Sequence, residues 1–249
     1  MTKSNLTNQE LEKRVNFIES LELADLATTG MRTLGGPSGF VVNGSTISFV
    51  ANISLQNQQD VLNSTLLAQL AATKKFDREN QTIEWYQFYR TVLENVGWVI
   101  QEFSFDKFNA SGSQFSVDKV VLEILAAIAS DDEMAIVQKT IEALKALDNG
   151  DGRLVLFEST SHSMQRGNFQ IGIATDVGGV VAMKVGAFHF STTNNVTKVL
   201  WFSFSDSDTS FHKSAQTVSL NQQIYSRVRG AVLTKLGDKA KDFVKDLEI

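Results

Sequence analysis

The residues able to do chemistry are few and scattered. His162, His189 and His212 are the only imidazoles. We read none of them as having a second histidine or a carboxylate at a ligand spacing such as His-x-x-x-His, and so expect no zinc site. His189 stands between Phe188 and Phe190 in an extended run, where an imidazole satisfied within a sheet is the expected reading. The stretch 147–158 approaches a calcium loop, with Asn149, Asp151, Gly152 and Glu158 at the third, fifth, sixth and twelfth positions. Its first position is Leu147 instead of a carboxylate, and a strand is expected to follow, so a turn built on Asn-Gly and Asp-Gly accounts for it better. Asp206 and Asp208 after an extended run are read as a solvated loop, because no third group of definable position joins them.

Other catalytic signatures are absent from the chain. There is no Gly-x-Ser-x-Gly elbow, no P-loop and no complete Gly-x-Gly-x-x-Gly after a strand. The lack of cysteine excludes disulfides, thiolate metal sites, cysteine nucleophiles and S-acylation. We expect no enzyme and no cofactor.

A net charge of −5 argues against nucleic acid, which needs clustered Lys and Arg to neutralise phosphate. The basic residues between Arg227 and Lys245 alternate with Asp238 and Asp242, as on a solvated helix face. No apolar leader segment follows Met1, so no Sec-type signal peptide is expected, and the protein is read as cytoplasmic or released by another route. No apolar run approaches about 18 residues, so no membrane-spanning helix is expected. Any action on a membrane must then follow a conformational change.

The elements that would position side chains are clearer. Pro37, the single proline, lies in a Gly-rich break, so residues 1–38 read as an N-terminal arm on a single domain of 1–249. Asn43-Gly44 between two short apolar runs predicts a β-hairpin. Two helices follow over 56–96. The second carries Trp85, Phe88, Tyr89, Val92, Leu93 and Val96 at helical spacing and stops at Gly97. Trp98 begins a strand to Phe105, and 109–113 forms a turn. Val117, Val120, Val121, Ile124, Leu125 and Ile128 form an apolar stripe, and Ser130 ahead of three acids starts the next helix. Extended segments are expected at 154–159, 168–175, 180–190 and 198–205, joined as an antiparallel meander. A long final helix, with Tyr225, Val228, Val232, Leu236, Phe243 and Leu247 on one face, would close the chain. The last strand, apolar on both faces, demands cover on two sides. The expected fold is therefore α/β (α+β), an antiparallel-rich sheet between two layers of helical hairpins.

Two surfaces suit lipid as well as core packing. Trp85 and Tyr89 are aromatics of the type that sits at headgroup depth. Val117, Val121, Ile124 and Ile128 would let their helix lie on a bilayer once detached.

The stretch 168–190, turning at Asp176-Val177-Gly178-Gly179, and 198–207, ending in Asp206-Ser207, resemble the Cyt-type cytolytic toxins and a related enterobacterial virulence-factor family. In Cyt-type toxins a similar strand pair meets at a Thr-Gly-Gly turn, continues into a Val-Gly-Phe segment and precedes an aromatic-rich strand ending in Asp-Ser. The likeness covers about 117–210. It implies a sheet wrapped by two helical hairpins, association with membrane lipid or a fatty-acyl ligand, and membrane disruption or pore formation when helices swing away. The virulence-factor branch carries its lipid on a cysteine, which this chain lacks, so only a non-covalent acyl pocket between helix layer and sheet carries over. No catalytic residue is implied. The alternatives are a soluble carrier of an apolar ligand and a self-assembling structural protein, and homo-oligomers on membranes are an expected partner state.

Overall fold

A computed structural model describes residues 7–25, 38–109, 114–205, 207–247 and 249. Most of the break around Pro37, part of the turn at 109–113, and Asp206 lie outside the described residues.

Local chemistry accounts for the helix starts. Thr7 and Glu10 form a capping box for α1 (Asn8–Ser20), and Ser54 accepts from the Asn57 amide to open α2 (Leu55–Lys75). α3 (Thr82–Val96) ends at Gly97, whose φ of 110° suits a residue without Cβ. α4 (Val117–Ala126) and α5 (Asp131–Lys145) form a hairpin, and the capping box of Ser130 with Glu133 sets where α5 begins.

Helices α4 and α5 follow the expected apolar stripes. The stretch expected as a strand at 154–159 does not. It belongs to α6 (Gly152–Ser161), capped by Asp151, with Leu154, Phe157 and Ser161 buried at helical spacing. A run of four apolar residues, Leu154 to Phe157, has no period of its own, and the cap decides.

The strands are β1 (Ser38–Val42), β2 (Ser45–Phe49), β3 (Trp98–Val99), β4 (Asp106–Lys107), β5 (Phe115–Ser116), β6 (Arg166–Val177), β7 (Val180–Thr192), β8 (Ser203–Phe204), β9 (Thr209–Leu220) and β10 (Val244–Leu247). The main sheet runs β10-β1-β2-β6-β7-β9-β3, with β4 also on β9. Its pairings are antiparallel except β2 with β6, which are joined by the long crossover that holds α2 to α6.

Three further expectations are corrected. The strand expected from Trp98 to Phe105 is limited to Trp98–Val99. The run 198–205 is not a long strand: only Ser203–Phe204 pairs, with Phe115–Ser116. The carbonyls of Leu200 and Phe202 instead accept from the free amides of Asp118 and Val117 at the start of α4. The final helix stops early. α7 (Gln222–Leu236) gives way at Gly237 to α8 (Lys239–Asp242) and then to β10, where Leu247 pairs opposite Gly39.

Helices cover both faces of the sheet, for a reason other than the one expected. Strands β6 and β7, not 198–205, are buried on both sides. One face presents Phe169, Ile171 and Ile173 to α4, α5 and α6, as the Phe157–Phe169 and Ser48–Thr140 contacts mark. The other presents Asn168 and Gln170 to α2 and α3, with α7 packed against both and α1 against α7 and α3.

Candidate functional site

The two seams between helices and sheet differ in chemistry. On the α4 to α6 side, Phe188, Phe190 and Phe204 gather around Phe211, with Phe204 and Phe211 ring centres 5.3 Å apart. Lys184 reaches Glu133 in an ion pair that crosses this seam. Burial disfavours ionised Glu133, but Lys184 and Ser130 outweigh it and hold its carboxyl below the usual value.

On the α2 and α3 side the seam is polar. Gln58, Asp60, Asn63, Ser64, Thr65 and Gln69 of α2 are all buried, which is why this helix has so little amphipathic character in its sequence. Gln69 donates to Ser45 Oγ at 2.8 Å, and Ser45 donates to Gln170. Tyr86 OH donates to Asn168 at 2.9 Å, and Trp98 Nε1 to Ser64 at 2.9 Å. Gln58 Oε1, Asn63 Oδ1 and Gln69 Oε1 have no protein partner among the described residues. Such a seam has the polarity to hold water.

Arg78 fastens this seam at one end. Its Nη1 donates to the Thr160 carbonyl at 2.8 Å and its Nη2 reaches the Gly44 carbonyl, while the guanidinium lies 4.6 Å from the Trp85 ring centre. The charge is buried, which lowers its pKa from the usual value. The same burial raises Tyr86 to about 12 and pushes Tyr89 up as well. Gly44 is required here: a Cβ would lie 2.2 Å from Arg78 Nη1 and 2.5 Å from the Thr160 oxygen.

The residues singled out from the sequence divide between the seams. Trp85 and Tyr89 are fully buried and stacked, ring centres 5.2 Å apart, on the polar side. Val117 and Val121 are buried in the dry seam, whereas Ile124 near the end of α4 and Ile128 just beyond it are half-buried. The structure thus brings together two of the six on one side of the sheet and four on the other.

Other groups escaped the sequence reading. Glu158 and His162 are an i, i+4 pair once α6 is a helix, with His162 Nε2 2.8 Å from Glu158. Burial opposes the charged imidazole, but Glu158 and the Ser163 carbonyl outweigh it and raise its pKa. His189 and His212 face each other across β7 and β9, rings stacked at 4.6 Å. The calcium-loop comparison also shifts: a helix does follow, but Asp151 is engaged by the amide and guanidinium of Arg153. Among the described residues no group of three or more His, Asp or Glu is placed to hold a metal, and no helix is long and apolar enough to cross a membrane.

No protein-family model matches the chain. No curated protein matches it. Among solved structures, one titled "Structure of the Evf virulence factor" is similar with a TM-score of 0.37 and 12% identity, covering 94% of this chain and 91% of its own. A second, titled "DELTA-ENDOTOXIN", has a TM-score of 0.41 and 17% identity, covering 79% of this chain and 90% of its own. Both structures are similar to this chain at low identity.

Proposed function

We propose that this chain is a non-enzymatic lipid- or membrane-interacting protein, a membrane-disrupting toxin or virulence factor, that acts when amphipathic helices leave the sheet. The observation that carries the reading is the polar seam beneath α2 and α3. Separating it hands amides, hydroxyls and a guanidinium to water, which solvates them. Separating the phenylalanine-packed seam exposes apolar surface at about 25 cal/mol per Å². The polar seam therefore opens first, and Trp85 and Tyr89 are the first large aromatics offered to a lipid surface. Val117, Val121, Ile124 and Ile128 follow if α4 and α5 also lift, and homo-oligomers assemble on the membrane.

Dye release from anionic and zwitterionic liposomes tests this, with a fluorophore on exposed Thr91→Cys to report α3 meeting lipid. Leakage with quenching of the fluorophore by brominated lipid is expected. Neither leakage nor vesicle binding from about pH 4 to about pH 9 sinks the reading.

The second reading, a carrier of a fatty-acyl or similar apolar ligand, is favoured by one feature. A groove of ≈ 880 Å³ beside α6 is lined by Leu154, Val155, Trp201 and Phe202, with Lys198 at hand for an acidic head. Native mass spectrometry of detergent-free protein decides: retained ligand and intact liposomes support the carrier.

A further inference from the structure

His189 and His212 occupy directly opposed positions on β7 and β9, with parallel rings 4.6 Å apart and 8° between planes. Phe105 sets its edge on His189 at 4.7 Å. Phe103 and Phe105 each lie 4.9 Å from Tyr86 of α3, so the segment 100–108 and α3 form one cover over the imidazoles. His189 Nε2 and His212 Nδ1 have no hydrogen-bond partner among the described residues. Two rings stacked face to face with open nitrogens tolerate neutrality and resist a shared charge.

The segment 100–108 is the lightly held part of this cover, whereas α3 keeps its buried aromatics. On β9 the segment pairs at Asp106–Lys107, the Phe108 amide donates to the Phe211 carbonyl at 2.8 Å, and the Gln101 amide donates to Gln216. Segments with few pairings and exposed backbone open at low cost.

We propose that His189 and His212 form an acid-sensitive latch, in which protonation of the stacked pair releases the segment 100–108, and α3 with it, from the sheet. The surrounding charges do not cancel the effect. Lys107 stands opposite His212 in register, with Asp106 beside it turned to Lys213 at 4.0 Å. Glu79, Glu84 and Arg166 line the cleft shared with both histidines, and Arg166 is occupied by the Glu79 carbonyl and Asn80. Glu102, neutral Tyr86 and the Arg90–Glu94 ion pair lie on the cover itself.

Burial and the neighbouring His212 hold His189 down to about 4, against 6.5 for the free group. Burial and Lys107 lower His212 as well. The closed form thus binds fewer protons than the open form between these values. Opening is about a hundredfold more favoured at pH 4 than at pH 7 from His189 alone. The latch rests on the membrane reading for its use, since it would free Trp85 and Tyr89, but its chemistry is tested without lipid.

A dye on exposed Ser104→Cys, unique in a chain without cysteine, reports the cover by anisotropy. Acidification from pH 7 to pH 4 should lower the anisotropy together with titration of both imidazoles by NMR, ahead of global unfolding. The double variant His189→Phe with His212→Phe should move that transition down by at least about one pH unit. If the double variant does not fold, His212→Gln, which removes the second charge, should shift it in the same direction. An unchanged midpoint in either folded variant, or titration of both imidazoles with the dye still immobile, overturns the latch. Acid opening with neither liposome leakage nor vesicle binding supports the latch and overturns the membrane reading alone.

Discussion

Asp60 on α2 receives two hydrogen bonds from the guanidinium of Arg229 on α7, Nε to Oδ1 at 2.8 Å and Nη2 to Oδ2 at 2.7 Å. The carboxylate is buried, whereas Arg229 extends partway into solvent. The two sides of this pair are therefore unequal. Arg229→Leu strands an ionised carboxylate and should cost about 3 kcal/mol, while Asp60→Asn leaves an arginine able to turn to water and should cost about 1 kcal/mol. Urea unfolding at pH 7 measures both, and equal losses contradict the asymmetry.

Tyr225 shares that corner and is fully buried, with its hydroxyl unpartnered among the described residues and its pKa pushed up, first by burial and then by Asp60. Tyr225→Phe removes an unsatisfied polar atom and little else. It should leave stability unchanged or raise it by up to about 1 kcal/mol. A clear loss in the urea midpoint would reveal a partner for the hydroxyl.

Two glycines should respond in opposite directions to the same change. Gly44→Ala drives a methyl group into Arg78 and the Thr160 carbonyl, and should cost about 3 kcal/mol. Gly230→Ala, on α7 with nothing within 4 Å of the added Cβ, should gain about 0.5 kcal/mol or more. Thermal melts of the pair suffice, and a tolerated Gly44→Ala would mean that the Arg78 clasp is loose.

The pH dependence of stability has two arms of opposite sign. His162 has a raised pKa, so the folded chain holds its proton more tightly than the unfolded chain. Its contribution is complete below about 6.5 and lost as pH rises through the folded value. His189 is lowered to about 4, so its contribution is complete above about 6.5 and lost as pH falls toward that value, and His212, also lowered, acts in the same direction. His162→Gln should flatten the alkaline arm only; flattening of the acid arm instead would reverse the assignment.

Phe211 joins the dry seam, stacked on Phe190 and Phe204. Phe211→Ala should cost about 4 kcal/mol, because three rings lose a face and the site cannot close over the void. Loss of near-ultraviolet aromatic ellipticity at lower urea than in the parent provides the check.

Much of the architecture was legible because it is local. The stripe of Val117, Val121 and Leu125, the Ser130 cap, the stop at Gly97 and the Asn43-Gly44 turn each depend on residues a few positions apart. Helix α6 was missed because Leu154 to Phe157 reads equally well as strand or helix, and with it went the Glu158–His162 pair.

By itself, the sequence determined the periodic helices, the long β6–β7 hairpin, the absence of thiol chemistry and the absence of any membrane-spanning apolar run. Tertiary structure alone decided that Thr209–Leu220 is a long strand, since its polar residues look unlike core until β7 pairs along its whole length and Gln101 meets Gln216. It also decided that the C-terminus turns back as β10, held by backbone pairing to β1, which leaves no side-chain period to read. Arg78 against Gly44 and Thr160, Asp60 with Arg229, and His189 over His212 are likewise products of register and packing. Residues far apart in sequence meet only when the sheet fixes which strand lies beside which, and no local spacing carries that information.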